Sequence, residues 1–263
     1  MEAHAQGQPP SPRGLIARSF MSNRSAERKV EIAKIWLRLC RYGSVGLCRL
    51  PSRVCEAADL RRIEALGREM APVVERDPTS AAKYTDYDHW VPFNVARVAA
   101  LGLHHSKRLR ILDIGCGPGY FLASAMACGH DCYGIDAPES ILTKVEARVY
   151  SEMLGALSID KRVSPLLIER YVPMTLPASD LDLITAYWIC FNRHRQPDEW
   201  SAAEWRFFVH DARSHLRPGG VLHLELNENP ERYGGLRWFD QETLDYFRSA
   251  GTVQGGIVRI VKG

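Results

Sequence analysis

The stretch Ile111-Leu112-Asp113-Ile114-Gly115-Cys116-Gly117-Pro118-Gly119-Tyr120-Phe121 constrains this chain more than any other. Apolar, β-favouring residues run into three glycines within five positions and then into helix formers, the pattern of strand, tight loop and helix. Without a Cβ the backbone turns sharply and lets a ligand lie against it. The helix that follows begins with unpaired N–H groups and the positive end of its dipole directed into the same space. Such a unit belongs in an α/β sheet and makes a pocket for a nucleoside-bearing ligand with a polar or negative group.

A second apolar strand, Cys132-Tyr133-Gly134-Ile135, follows after about one helix and ends in Asp136, twenty-one residues beyond Gly115. A βαβ nucleotide site places the acid that holds ribose hydroxyls at ~20 residues. Asp113 stands inside the first strand, two residues before Gly115. On these residues the sequence resembles the class I S-adenosylmethionine-dependent methyltransferases, residues 111–119 looking like their first motif and Asp136 like their ribose acid. The rival is the G-x-G-x-x-G fingerprint of dinucleotide enzymes. Here the third glycine falls one place early and Asp113 precedes the loop, and both departures favour the methyltransferase. The resemblance covers about residues 84–263 and implies S-adenosyl-L-methionine as cofactor. Gly115, Cys116, Gly117 and Gly119 then allow close backbone approach. Asp113 supports the loop or reaches the methionine amine, and Asp136, with Ala137 beside it, takes the ribose. Glu169, beyond a third strand, is a candidate adenine contact, and Tyr187 closes the fourth strand on the cofactor side.

The chain has 263 residues, enough for one α/β domain with an appendage. A net charge of +3 is too mild to argue for nucleic acid. The seven cysteines show no C-x-x-C spacing, so neither a disulfide framework nor a zinc knuckle is expected; reduced thiols and a cytoplasmic location are. No run of about 18 apolar residues suggests a membrane span, and an apolar signal core is missing at the N-terminus. Adjacent His104 and His105 lack a third ligand at metal spacing, so no metal is expected.

Residues 1–25, rich in Pro, Gly, Ser, Gln and Ala, predict a disordered tail. Residues 26–82 predict a helical appendage. Its first helix carries Ile32, Ile35, Trp36, Leu39 and Cys40 on one face and stops near Gly43. After a turn-rich link over 43–51, its second helix carries Leu60, Ile63, Leu66 and Met70. This pair either roofs the substrate site or only covers core surface. Residues 83–263 form the cofactor-binding domain. Tyr84, Tyr87 and Trp90 precede or open a helix expected from about Val91, with Pro92 in its first turn. Trp90 reads as a core anchor, and the tyrosines are candidates to stack on a purine or shield a sulfonium. Further helices are expected over 120–128, after Pro138, after a Ser201/Glu204 capping box, and over 239–250. Pro165 makes the third strand, within 162–168, an edge or interrupted one. The turn Leu216-Arg217-Pro218-Gly219-Gly220 is a further mark of the resembled family.

The fourth strand, residues 181–187, leads into Trp188-Ile189-Cys190-Phe191-Asn192-Arg193-His194, a loop expected to line the gap between methyl donor and acceptor. His194 is the candidate general base, since imidazole titrates near neutral pH, and Asn192 a candidate to orient the acceptor. Asn227, Asn229, Arg232 and Tyr233, beyond the fifth strand, are candidates to meet substrate. The loop has no Asn/Asp-Pro-Pro-aromatic run, no Pro-Cys pair and no clustered acids, which by resemblance sets aside base- or glutamine-amino methylases, RNA cytosine-C5 methylases and metal-dependent catechol-type enzymes. The expectation is a doubly wound, Rossmann-like, mostly parallel seven-stranded α/β sheet with an N-terminal helical appendage. It binds S-adenosyl-L-methionine and methylates an O, N or C nucleophile of a small molecule, with no nucleic-acid or membrane partner. A catalytically silent cofactor-binding protein and a nicotinamide-dependent oxidoreductase are the alternatives.

Overall fold

Strands rich in Ile, Leu and Val need a covering layer on both faces, and that demand builds a parallel sheet between helices. The structure, a computed structural model, describes residues 45–188, 200–226 and 240–263. In chain order the elements are α1 (Val45–Ala57), α2 (Leu60–Arg76), α3 (Tyr87–Ala100), β1 (Arg110–Ile114), α4 (Tyr120–Met126), β2 (Asp131–Asp136), α5 (Lys144–Ala156), β3 (Val163–Pro165), β4 (Leu181–Tyr187), α6 (Ala202–Ser214), β5 (Leu216–Glu225), α7 (Gln241–Ala250), β6 (Thr252–Gln254) and β7 (Ile257–Val261). One seven-stranded sheet has the order β3-β2-β1-β4-β5-β7-β6. β1 to β5 pair in parallel, and β7 runs antiparallel to both β5 and β6. The expected fold class is the observed one. Strand order reverses at β1 and β4, so their carboxyl ends open on the crevice where such sheets hold ligands.

Alternation along the strands divides the core. Ile111, Cys132 and Leu183 face α1 to α5 and pack with Leu50, Ile63, Val95, Phe121 and Met153. Leu112, Ile135 and Ile184 face the other way, against Trp205, Phe208 and Phe247 of α6 and α7. Asp113 and Thr185 share the first face. Register aligns Gly134, Asp113, Thr185, His223 and Arg259 in one row across five strands.

The structure revises several boundaries. Residues 43–51 were expected to be a turn-rich link, yet Pro51 lies inside α1; burial of Leu50 and Val54, one turn apart, outweighs the proline's break. α3 starts at Tyr87, four residues before the expected Val91, so Pro92 is interior and buried rather than in the first turn. Pro138 opens only a short 3-10 turn (Glu139–Ile141). α5 starts at Lys144, where Thr143 and Glu146 form a capping box. Leu216, expected to open the turn after α6, belongs to β5 and pairs with Leu181. Pro218 and the two glycines lie within that strand, at a register irregularity opposite residues 181 and 183. Ile63, Leu66 and Met70 are buried on α2 as expected. The tail over 1–25 and the helix through Ile32 and Cys40 lie outside the described residues.

Candidate active site

Glycine at positive φ bends the chain off β1. Gly115, Gly117 and Gly119 have φ of 69°, 52° and 83°, a region costly for residues with a Cβ. The N–H groups of Gly115 and Cys116 both donate to Ile135 O, at 2.8 and 3.2 Å, which ties the loop to the end of β2. Asp136 follows. Its Oδ2 accepts from the Gly117 N–H, and its Oδ1 accepts from the Ala137 N–H at 2.7 Å. A carboxylate offers about four lone-pair sites, enough for two backbone donors and a ribose diol together. The loop and the acid, joined in the sequence reading by their spacing, are in direct contact.

They border a cavity of about 530 Å³, within the usual size range of small-molecule sites. Asp113, Gly115, Cys116, Gly117, Asp136, Ala137 and Tyr187 all line it. Gly119 lies behind the lining, where a Cβ would strike Ile159 and Leu154. Glu169 is exposed and outside the lining; Leu166, Leu167 and Ile168 occupy that wall instead. Tyr84 lines the cavity, its ring 6.0 Å from Tyr150 and 4.8 Å from Trp90. Trp90 is buried as expected, its Nε1–H donating to Lys83 O at 3.0 Å. Tyr87 is not part of the lining. His194 and Asn192, and the polar candidates from Asn227 to Tyr233, fall in residues 189–199 and 227–239, outside the described residues. Among the described residues, none of α1 or α2 lines the cavity; both pack on the core, α1 against α3 and α4 and α2 against α5, with Arg62 and Glu152 at 2.7 Å.

Electrostatics single out the floor. Burial pushes the Asp113 carboxyl up to about 7, while the Thr185 hydroxyl, donating at 2.7 Å, and nearby Arg97 oppose the rise and Asp136 adds to it. Burial also raises the Cys116 thiol and the Tyr187 phenol well above their usual ranges, so both stay protonated. The charge map improves on the sequence reading at Arg97 of α3. Its guanidinium lies 4.0 Å from the Tyr187 ring centre, 4.4 Å from that of Trp188 and 4.7 Å from that of Phe93, and pairs with Glu225 at 3.1 Å. Its signal was present: Trp90, Asn94 and Arg97 recur at helical spacing, so polar side chains interrupt the apolar face of α3. Trp188, just past β4, adopts φ of 51°, a strained conformation of the kind that concentrates at functional sites.

A sheet in the order β3-β2-β1-β4-β5-β7-β6 with β7 antiparallel, a glycine loop off β1 and an acid at the end of β2 together match the class I S-adenosyl-L-methionine-dependent methyltransferases. The residues fit that cofactor: the Asp136 carboxylate borders the cavity beside the glycine loop, and Tyr84, Tyr150 and residues 166–168 offer aromatic and apolar walls. Residues 87–251 match the family described as Methyltransferase domain, more than half of the chain, and the chain belongs to that family. Over 131 residues it is 28% identical to a tRNA U34 carboxymethyltransferase of Hydrogenovibrio crunogenus, covering 49% of this chain and 36% of that protein. The chain thus spans about a third of the length of this curated relative. An amino pentose methyltransferase from Micromonospora echinaspora, involved in calicheamicin biosynthesis, is 23% identical over 55% of this chain and 53% of its own, with a TM-score of 0.38. A putative S-adenosyl-L-methionine-dependent methyltransferase from Methanococcus maripaludis is 15% identical over 74% and 93%, with a TM-score of 0.44. Neither structure bears on the acceptor.

Proposed function

We propose that this protein transfers a methyl group from S-adenosyl-L-methionine to an O, N or C nucleophile of a small molecule. The observation that carries this reading is the contact between the Asp136 carboxylate and the Gly117 N–H at the edge of one cavity. When bound, the cofactor supplies a methyl carbon whose bond to sulfur breaks as the bond to the acceptor atom forms, leaving a neutral thioether. Asp136 holds the ribose hydroxyls, the glycines keep the backbone clear, and Asp113 faces the amino-acid tail. Catalysis then comes mainly from alignment, an effect worth up to ~7–11 kcal/mol in well-oriented model systems. Asn192 and His194, in the loop after β4, remain the proposed acceptor-orienting residue and base; His194 takes the proton when the nucleophile carries one.

The decisive experiment incubates the protein with S-adenosyl-L-methionine labelled in the methyl group and two separate acceptor pools, a low-molecular-weight metabolite extract and total tRNA. Label entering the extract supports the small-molecule reading. Label entering only tRNA replaces it with a nucleic-acid acceptor, as the name of the Hydrogenovibrio relative would suggest. Cofactor binding with no transfer to either pool favours the catalytically silent alternative. His194→Ala turning over normally with the true acceptor removes the base assignment.

A further inference from the structure

Among the described residues that line the cavity, Arg97 is the only lysine or arginine, against three acids, Asp113, Asp136 and Glu146. Its guanidinium is incompletely paired. Nη2 donates to Glu225 Oε1 at 3.1 Å and Nη1 makes a long contact of 3.4 Å to Asn94 Oδ1, while among the described residues the buried Nε–H has no acceptor. Beside it the Tyr187 hydroxyl is buried with no partner among the described residues. Leaving such a donor dry is destabilising, and more so when it is charged. Both unpaired groups are donors in their prevailing protonation states, so what they lack is an acceptor of hydrogen bonds, most favourably an anion. Planar guanidinium suits a carboxylate. Its sandwich between Phe93, Tyr187 and Trp188 fixes its plane before any ligand arrives, which spares the ordering entropy that a mobile cation would lose on binding.

We propose that Arg97, with the Tyr187 hydroxyl beside it, is the carboxylate subsite of the cavity. It takes either the α-carboxylate of the methyl donor or an acid group on the acceptor, and Glu225 acts as the internal anion that the incoming carboxylate competes with. The proposal rests on the cofactor reading above.

The test is isothermal titration calorimetry on the full chain with S-adenosyl-L-methionine and decarboxylated S-adenosyl-L-methionine, which differ only in the carboxylate. Benzoate, titrated into the protein saturated with S-adenosyl-L-homocysteine, probes an acceptor acid. Variants are Arg97→Met, which keeps an apolar stem, and Glu225→Gln, which removes the competing anion. If the donor is the source, the wild type prefers the intact donor by about tenfold to a hundredfold. Arg97→Met then abolishes the preference without weakening the decarboxylated ligand, and Glu225→Gln increases it. If the acceptor is the source, both donors bind alike, benzoate binds the wild-type complex, and Arg97→Met loses benzoate alone. Equal loss of both donors in Arg97→Met, as a purely structural clamp would give, overturns the proposal, as does a wild type that ignores both the donor carboxylate and benzoate. A wild type that binds neither donor defeats the cofactor reading itself, an outcome distinct from these.

Discussion

Asp136 has one observed role and one proposed role, and a single substitution tests the second. It accepts backbone N–H groups from Gly117 and Ala137, and it is the residue proposed to hold the ribose diol. Asp136→Ala removes every acceptor, so affinity for S-adenosyl-L-methionine should fall by at least about a hundredfold, on the scale of two hydrogen bonds to a charged group. Circular dichroism should show the helical content retained, and unchanged affinity in calorimetry would reject the assignment. The glycines differ among themselves. A Cβ at Gly117 meets nothing nearer than Tyr150 at 3.8 Å, so Gly117→Ala faces only the positive φ, about 1–2 kcal/mol. A Cβ at Gly119 would strike Leu154 at 2.8 Å and Ile159 closer still. Gly119→Ala should therefore destabilise by about 2–4 kcal/mol, the φ penalty plus overpacking, with urea denaturation as the measurement. These positions were legible in the sequence because motif spacing encodes a local loop and the strand beside it. Arg97, Asn94 and Tyr150 were not singled out, because what places them at the cavity is the packing of α3 and α5, which spacing around one loop does not report.

Helix caps show the same contrast between local and tertiary information. Ser201 and Glu204 were read as a capping box and form one, as do Thr143 and Glu146, which were passed over in favour of Pro138. Proline fits a first helical turn, but it equally opens a 3-10 turn, and the sequence alone does not decide between them. The two boxes should not be worth the same. Thr143 and Glu146 lie at the surface, where loss of the cap costs about 1 kcal/mol or less. Glu204 is buried, accepts from both the Ser201 N–H and Oγ–H at 2.6 and 2.8 Å, and meets Arg170 at 3.2 Å. Ser201→Ala leaves a buried carboxylate short of a donor and should cost nearer 2 kcal/mol. Chemical denaturation of Thr143→Ala and Ser201→Ala compares them directly; equal midpoint shifts would show that burial of Glu204 adds nothing. Strand assignments fared better than helix starts. β4 matches residues 181–187, since a short apolar run buried on both faces admits few alternatives, whereas burial of Leu50 and Val54 carried a helix through Pro51 against local preference.

The row that crosses the sheet couples the site to the stability of the whole chain through protons. Asp113 is pushed up from 3.8 to about 7, chiefly by burial, so between about pH 4 and 7 the folded chain holds a proton that the unfolded chain has released. Stability from this group falls as pH rises through that window. His223, two strands away in the same row, is pushed down from 6.5 to about 4, by burial first and then by Arg259 and Arg97. Between about pH 4 and 6.5 the unfolded chain holds a proton that the folded chain lacks, so stability from this group rises with pH. The two slopes oppose each other across nearly the same interval. Asp113→Asn should expose the rising limb and His223→Gln the falling one, each changing the slope of unfolding free energy by up to about 1.4 kcal/mol per pH unit, one proton's worth. Urea denaturation of the wild type and both variants at intervals from pH 4.5 to 7 reads this out. The double variant should return near the wild-type slope, because each partner removes one proton of opposite sense. Parallel profiles for the wild type and Asp113→Asn would mean that Asp113 is ionised in the folded chain across this range, its burial offset by Thr185 and Arg97.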